Sequence, residues 1–265
     1  MIITGSEGYI GSHLIELFKE SKFPYTGLDR KSGLDILSEE GRRNFEALAK
    51  TAETVIHLAA RPRIPASWTN TADYIRDNIE LTEYVARICA ENKCHLIFAS
   101  SSSVYGNGDG PLNPYSWTKL AAEDIIKIYG DTLGLHYTIA RIFTTYGNNG
   151  PLVIDKWISQ ANNGEPITLR GTGNQRRDFV HVEDVAYALA KAAIATPCNI
   201  VMDIGTGQNY SLNELVGLFD CEIIVENELA GYAQATIADT REAKKYLGWS
   251  ATHTLPDWIK SNLSK

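Results

Sequence analysis

Three glycines at three-residue spacing, Gly5-Ser-Glu-Gly8-Tyr-Ile-Gly11, follow directly on the apolar run Met1-Ile-Ile-Thr4. A chain that passes from strand to helix through such a loop has few folds open to it. One glycine makes a tight turn, one lets the backbone approach a pyrophosphate, and one allows the helix to pack closely on the strand. The helix beginning here, around Ser12–Glu20, presents unpaired N–H groups and a partial positive charge to the loop. The next strand-like run ends at Leu28-Asp29, roughly 20 residues on, where a carboxylate can accept both adenine-ribose hydroxyls and repel a 2′-phosphate. This order predicts a dinucleotide site that takes NAD ahead of NADP. Arg30, beside the acid, is the one neighbour that favours NADP.

Strand-like runs recur at Thr54–Leu58, His95–Ala99 and Tyr137–Phe143, with helix-like runs around Arg42–Thr51, Asn78–Glu91 and Ser116–Leu133. Alternation of this kind predicts an α/β fold with a doubly wound parallel sheet. After Tyr146 the texture changes to turn clusters, Asn148-Asn149-Gly150-Pro151 and Gly171-Thr172-Gly173-Asn174, between shorter elements. The expected layout is a dinucleotide-binding domain over 1–147, rejoined by 178–204, with a smaller interleaved lobe from 148–177 and 205–265 that binds the substrate.

The chain has 265 residues and a formal net charge of −7, a balance without the basic face that nucleic acid requires. A few local arginines still suffice for a phosphate-bearing small molecule. No run reaches the roughly 20 apolar residues of a membrane helix. The start of the sequence carries no basic, apolar leader. Cys89, Cys94, Cys198 and Cys221 lack metal-ligand spacing, so no metal site is expected, and they read as thiols of a reducing compartment. The expected location is the cytoplasm.

Tyr115-Ser-Trp-Thr-Lys119 sets a phenol and an amine on one helical face. A phenol with a reference pKa near 10 must come down by about three units to act as a base at neutral pH. One cation about 4 Å away, in an effective dielectric of about 20, supplies on the order of the 4 kcal/mol needed. Tyr187-Ala-Leu-Ala-Lys191 has the same spacing. Tyr115 is preferred because it follows the strand His95–Ala99 and the serines Ser100–Ser103, at the carboxyl end of the sheet where ligands bind.

Together with His57-Leu-Ala-Ala60, Val104-Tyr105-Gly106, Arg141-Ile-Phe143 and Arg177-Asp-Phe-Val-His-Val-Glu-Asp184, these motifs resemble the extended short-chain dehydrogenase/reductases. Within them the chain is similar to the NAD-dependent nucleotide-sugar epimerase/dehydratase branch, in particular its UDP-glucose and UDP-glucuronate 4-epimerase-like members. The resemblance runs to Ala238-Asp239 and Leu247-Gly248-Trp249. It implies that Ser101, Tyr115 and Lys119 are catalytic. It implies a cofactor site of Gly5, Gly8, Tyr9, Ile10, Gly11, Asp29, Arg30, Asp35, Ile36, Leu58, Ala59, Ala60 and Asn78, shared with Tyr115 and Lys119. Ser101, Thr144 and Arg177 would meet the substrate, with Arg177 on its diphosphate. It also implies a homodimer through the helices holding Asn78–Glu91 and Ser116–Leu133.

Two departures stand out. The stretch from Ser101 to Tyr115 is trimmed to a Gly/Pro/Asn segment, Gly106–Pro114, and a second diphosphate-binding arginine is missing from Leu229–Gln234. The favoured reading is a C4 epimerase passing through a 4-keto sugar. A 4-ketosugar reductase is the alternative enzyme, and a non-catalytic NAD-binding protein the alternative outside enzymes. Serines at positions 102 and 103, where dehydratases of the family carry acid/base groups, argue for epimerisation over dehydration.

Overall fold

The polypeptide, described here by a computed structural model over residues 1–264, alternates strand and helix from its first turn. Strand β1 (Ile2–Thr4) feeds helix α1 (Tyr9–Glu20), β2 (Thr26–Leu28) feeds α2 (Glu39–Ala49), and β3 (Thr54–His57) feeds two short helices, α3 (Ile64–Thr69) and α4 (Thr71–Ile75). A π turn at Arg76–Glu80 carries α4 into α5 (Leu81–Asn92), so the helix expected from Asn78 begins further back. Then come β4 (His95–Ser101), the long α6 (Pro114–Leu133), β5 (Tyr137–Ile142) and β6 (Thr144–Tyr146). The remainder comprises α7 (Val153–Asn162), β7 (Ile167–Arg170), β8 (Arg176–His181), α8 (Val182–Ile194), β9 (Ile200–Ile204), β10 (Asn209–Ser211), α9 (Leu212–Val216), β11 (Ile223–Glu226), α10 (Arg241–Leu247) and α11 (Leu255–Asn262).

Six strands form the main sheet in the order β2-β1-β3-β4-β5-β9, all parallel. Strand order reverses between β1 and β3, which opens a crevice beyond their carboxyl ends. The sheet is buried on both faces, and so its strands read as continuous apolar runs. Ile3, Ile56, Ile97 and Met202 pack with α1 and α8 on one side, while Val55, Leu96, Phe98 and Ile139 pack with α2, α5 and α6 on the other. This is the doubly wound α/β architecture expected from the sequence.

A second sheet, β10-β8-β6, and a two-stranded one, β11-β7, stand beyond the carboxyl edge. They enclose a separate core of Tyr146, Trp157, Phe179, Leu215 and Ile259. β8 belongs to the three-stranded sheet, whereas the α8 helix after it packs on α1 and β9 closes the main sheet. The chain thus crosses between the two layers more than once, and the site lies where they face each other.

Candidate active site

The glycine loop is shaped by contacts only glycine permits. Gly5 has φ +69°, and a Cβ there would lie 2.6 Å from the Ala59 amide nitrogen. At Gly11 a Cβ would come within 2.3 Å of the Gly5 carbonyl oxygen, so the helix could not approach the strand. Gly8 is the N-cap of α1 and offers no side-chain cap, and the first turn holds no acidic residue. The leading N–H groups of a full-length helix are therefore left to a ligand, the arrangement that receives phosphate.

Asp29 is fixed by two backbone amides: Oδ2 accepts from Glu7 N–H at 3.0 Å and Oδ1 from Lys31 N–H at 2.9 Å. It lines a cavity of about 260 Å³ with Gly5, Gly8, Arg30, Asp35 and Ile36, closed on the other side by Leu58, Ala59 and Ala60. Glycine cradle, uncapped helix and pinned acid together fit a dinucleotide with free ribose hydroxyls.

That cavity runs into a larger cleft of about 870 Å³, shared by Tyr9, Ile10 and Gly11 with Ser101, Tyr115, Lys119, Thr144 and Arg177. The cofactor-side and substrate-side expectations therefore meet in one continuous space. Asn78 is the exception. Its amide is consumed inside the protein: Oδ1 accepts from Arg61 N–H at 2.8 Å, and Nδ2 donates to the Arg61 carbonyl and to Thr118 Oγ1. It lies on the π turn, a helical irregularity frequent at functional sites, and clamps the loop after β3 against α6.

The α6 helix starts where Pro114 occupies its first turn and Asn113 caps it, accepting from Ser116 N–H at 2.8 Å. This start puts Tyr115 and Lys119 on the face towards β4, both buried, with Lys119 Nζ 4.3 Å from the Phe98 ring centroid. Burial raises the Tyr115 phenol above its ordinary value, and the Ser101 hydroxyl works against that. Burial also pulls Lys119 down to about 7, opposed by the charge of Glu123. In this buried setting an added positive charge would tip the phenol towards ionisation. Ser101 Oγ accepts from Ser103 N–H at 3.2 Å and from Ser103 Oγ–H at 2.9 Å, which orients it at the end of β4.

The competing pair is elsewhere. Tyr187 is exposed on α8, and Lys191 donates to the Leu247 carbonyl at 3.2 Å. Neither faces the cleft. His181, Glu183 and His253 bring potential ligand atoms within 4.8 Å of one another, but the imidazoles stack at 4.1 Å and 24°. Stacked rings direct their in-plane lone pairs side by side rather than at a shared ion, unlike the converging donors of a tetrahedral site.

Several cleft residues carry no recognisable sequence motif. Arg63, Lys156, Arg170, Tyr232 and Glu228 all line it beside Arg177. The only available signal is weak: Arg63 follows the carboxyl end of β3 in a Pro-flanked loop, where ligand-binding residues collect.

Fold and cleft define a dinucleotide-binding α/β protein with a phenol, an amine and a hydroxyl at the mouth of the crevice. Residues 1–205 match the NAD dependent epimerase/dehydratase family, and the chain belongs to it. Among solved structures, MoeE5 in complex with UDP-glucuronic acid and NAD is similar at a TM-score of 0.87 and 33% identity, covering 98% of this chain and 96% of that one. The UDP-glucuronic acid 4-epimerase from Bacillus cereus, in complex with UDP-glucuronic acid and NAD, has a TM-score of 0.87 at 26% identity, with the same coverage. The UDP-glucuronate 4-epimerase of Thermodesulfobacterium geofontis (strain OPF15) is 28% identical over 307 residues, spanning 99% of this chain and 94% of that protein.

Proposed function

We propose that this protein is an NAD-dependent nucleotide-sugar epimerase that inverts C4 of a UDP-sugar through a transient 4-keto sugar. The observation that carries the reading is the convergence of Ser101, Tyr115 and Lys119 on the cleft that continues from the Asp29 cavity. Similarity to UDP-sugar 4-epimerases over nearly the whole chain supports it.

Bound NAD supplies a hydride acceptor and donor and a formal positive charge. Gly5, Gly8 and Gly11 would hold its pyrophosphate at the α1 N-terminus, and Asp29 its ribose hydroxyls. Tyr115 would take the proton from the C4 hydroxyl and give it back to the same oxygen when the rotated 4-keto sugar is reduced on its other face. Ser101 hydrogen-bonds the same oxygen, and Lys119 stabilises the phenolate. Thr144 and Arg177 orient the sugar nucleotide. Among the described residues the larger cleft is lined by one carboxylate, Glu228, while Ser102 and Ser103 follow the catalytic serine. Elimination across C5 and C6 therefore finds no acid/base pair beside Ser101, and hydride return is the open route.

We place the protein in the cytoplasm, in keeping with its buried thiols Cys89 and Cys94; among the described residues no helix is long and apolar enough to cross a membrane. We also propose a homodimer. Val85, Ile88 and Ile126 are buried within a single copy, so the contact would rest on Trp117 and Ile128, exposed by 50% and 55% on α6. Sedimentation of a monomer that Trp117→Asp leaves unchanged would count against it.

The deciding experiment incubates the purified protein and NAD with UDP-, dTDP- and GDP-sugars and identifies products by NMR. A C4-inverted sugar with C6 intact is expected. A 4-keto-6-deoxy sugar or released carbon dioxide would overturn the assignment.

A further inference from the structure

The lining of the cleft is strongly cationic although the chain as a whole is acidic. Arg63, Lys119, Lys156, Arg170 and Arg177 face it, against the single carboxylate Glu228. These cations differ in how far they are already committed. Arg170 is paired across the β7–β11 ladder with Glu226 at 3.0 Å. Lys119 stands beside Tyr115. Arg63 and Arg177 bond only to backbone carbonyls among the described residues: Arg63 to Pro151 at 3.3 Å, Arg177 to Arg176 at 2.8 Å and Gln234 at 3.4 Å.

Arg61 provides the contrast. Two residues before Arg63, it is neutralised by Asp77 at 2.5 Å and Asp73 at 3.3 Å. Arg63 makes no such pair among the described residues. Tyr74 Oη donates to its carbonyl at 2.5 Å, and it caps α3 from an extended conformation, φ −92° and ψ 113°. An unpaired guanidinium held at a cleft wall is a ready partner for a phosphate or carboxylate.

We infer that Arg63 is the second diphosphate-binding cation of this site, gripping the substrate's pyrophosphate from the loop after β3 while Arg177 grips it from β8. It replaces the arginine missing from Leu229–Gln234. That segment instead delivers Tyr232, which lines the same cleft as Arg63, Arg170 and Arg177. The segment is held there by the trimmed loop: Asn113 Nδ2 donates to the Gly231 carbonyl at 2.8 Å, and Asn107 Oδ1 accepts from Gln234 N–H at 2.7 Å. The assignment rests on the nucleotide-sugar reading.

The test is calorimetric titration of UDP, dTDP and GDP into the NAD-loaded wild type, Arg63→Ala and Arg63→Lys, with Arg43→Ala as a remote surface control. Loss of one charge-assisted contact corresponds to about ten- to a hundred-fold weaker binding of the preferred diphosphate. Arg63→Ala should show that loss with NAD affinity unchanged, and Arg63→Lys should recover part of it. In turnover, KM should rise with kcat nearly constant. Equal diphosphate binding by wild type and Arg63→Ala would overturn the inference alone. A variant that keeps UDP affinity but loses affinity for the UDP-sugar would also overturn it, by assigning the cation to the sugar. A wild type that binds none of the three diphosphates would sink both this inference and the nucleotide-sugar reading.

Discussion

Glu123 grips Arg141 with both carboxylate oxygens, at 2.9 and 2.6 Å, one helical turn beyond Lys119. The same carboxylate accepts from Ser100 Oγ at 2.6 Å, next to Ser101 in the chain. A fully buried acid thus ties the lysine helix to the serine strand, and its charge favours protonated Lys119. Glu123→Gln should cost about 3 kcal/mol or more, because Arg141 loses its counter-charge. With that charge gone, Lys119 should shed its proton at a lower pH than about 7. The alkaline limb of the kcat profile should move to lower pH. A destabilised variant with an unmoved limb would reduce Glu123 to a structural role.

Tyr115→Phe should remove most turnover, on the order of a hundred-fold or more for loss of a general acid/base, and leave NAD affinity nearly intact. Tyr187→Phe should retain wild-type activity, since that ring is exposed on α8. Comparable losses in two folded variants would reverse the choice between the pairs.

Asp29 should decide the cofactor. Its carboxylate is pre-set by the Glu7 and Lys31 amides, so it cannot swing away from a 2′-phosphate. Asp29→Ala should weaken NAD and narrow its margin over NADP. Fluorescence titration with both cofactors measures this, and wild-type NADP binding as tight as NAD would refute it.

Three buried imidazoles make the fold sensitive to acid. Burial lowers His57 to about 3 and His95 and His181 to about 4, aided by Lys119, His136 and His253 respectively. The unfolded chain titrates near 6.5 and binds more protons between that value and about 4. Stability should therefore be full above pH 6.5 and fall as the pH drops through this window. Asp155, raised by burial to about 6, and Asp203, which burial also raises, oppose the trend over part of it. His95→Gln keeps a partner for Thr138, which lies 2.9 Å from Nε2. It should reduce the slope of stability against pH by up to about 1.4 kcal/mol per pH unit. Urea unfolding at pH 5 and 7 tests this, and identical slopes would remove His95 from the account.

Short-range patterns determined much of this protein. The spacing of Gly5, Gly8 and Gly11 after an apolar run, and Asp29 at the end of the next strand, were legible because turn geometry and strand periodicity act over a few residues. The Tyr115–Lys119 spacing was legible for the same reason, yet Tyr187–Lys191 matched it equally well. Position in the chain, after the strand His95–Ala99 and its serines, favoured Tyr115, and packing buries that pair, Lys119 against Phe98, while leaving Tyr187 on the outside of α8. Packing also moved Asn78 from the cofactor wall to a clamp on Arg61, since a side chain's partners depend on which elements meet above it. The tertiary structure alone brought Arg63, Arg170 and Tyr232 to the cleft beside Arg177, from segments far apart in sequence. It alone set Lys119 near 7, because desolvation is a property of everything packed around a charge and leaves no local trace in the residues beside it.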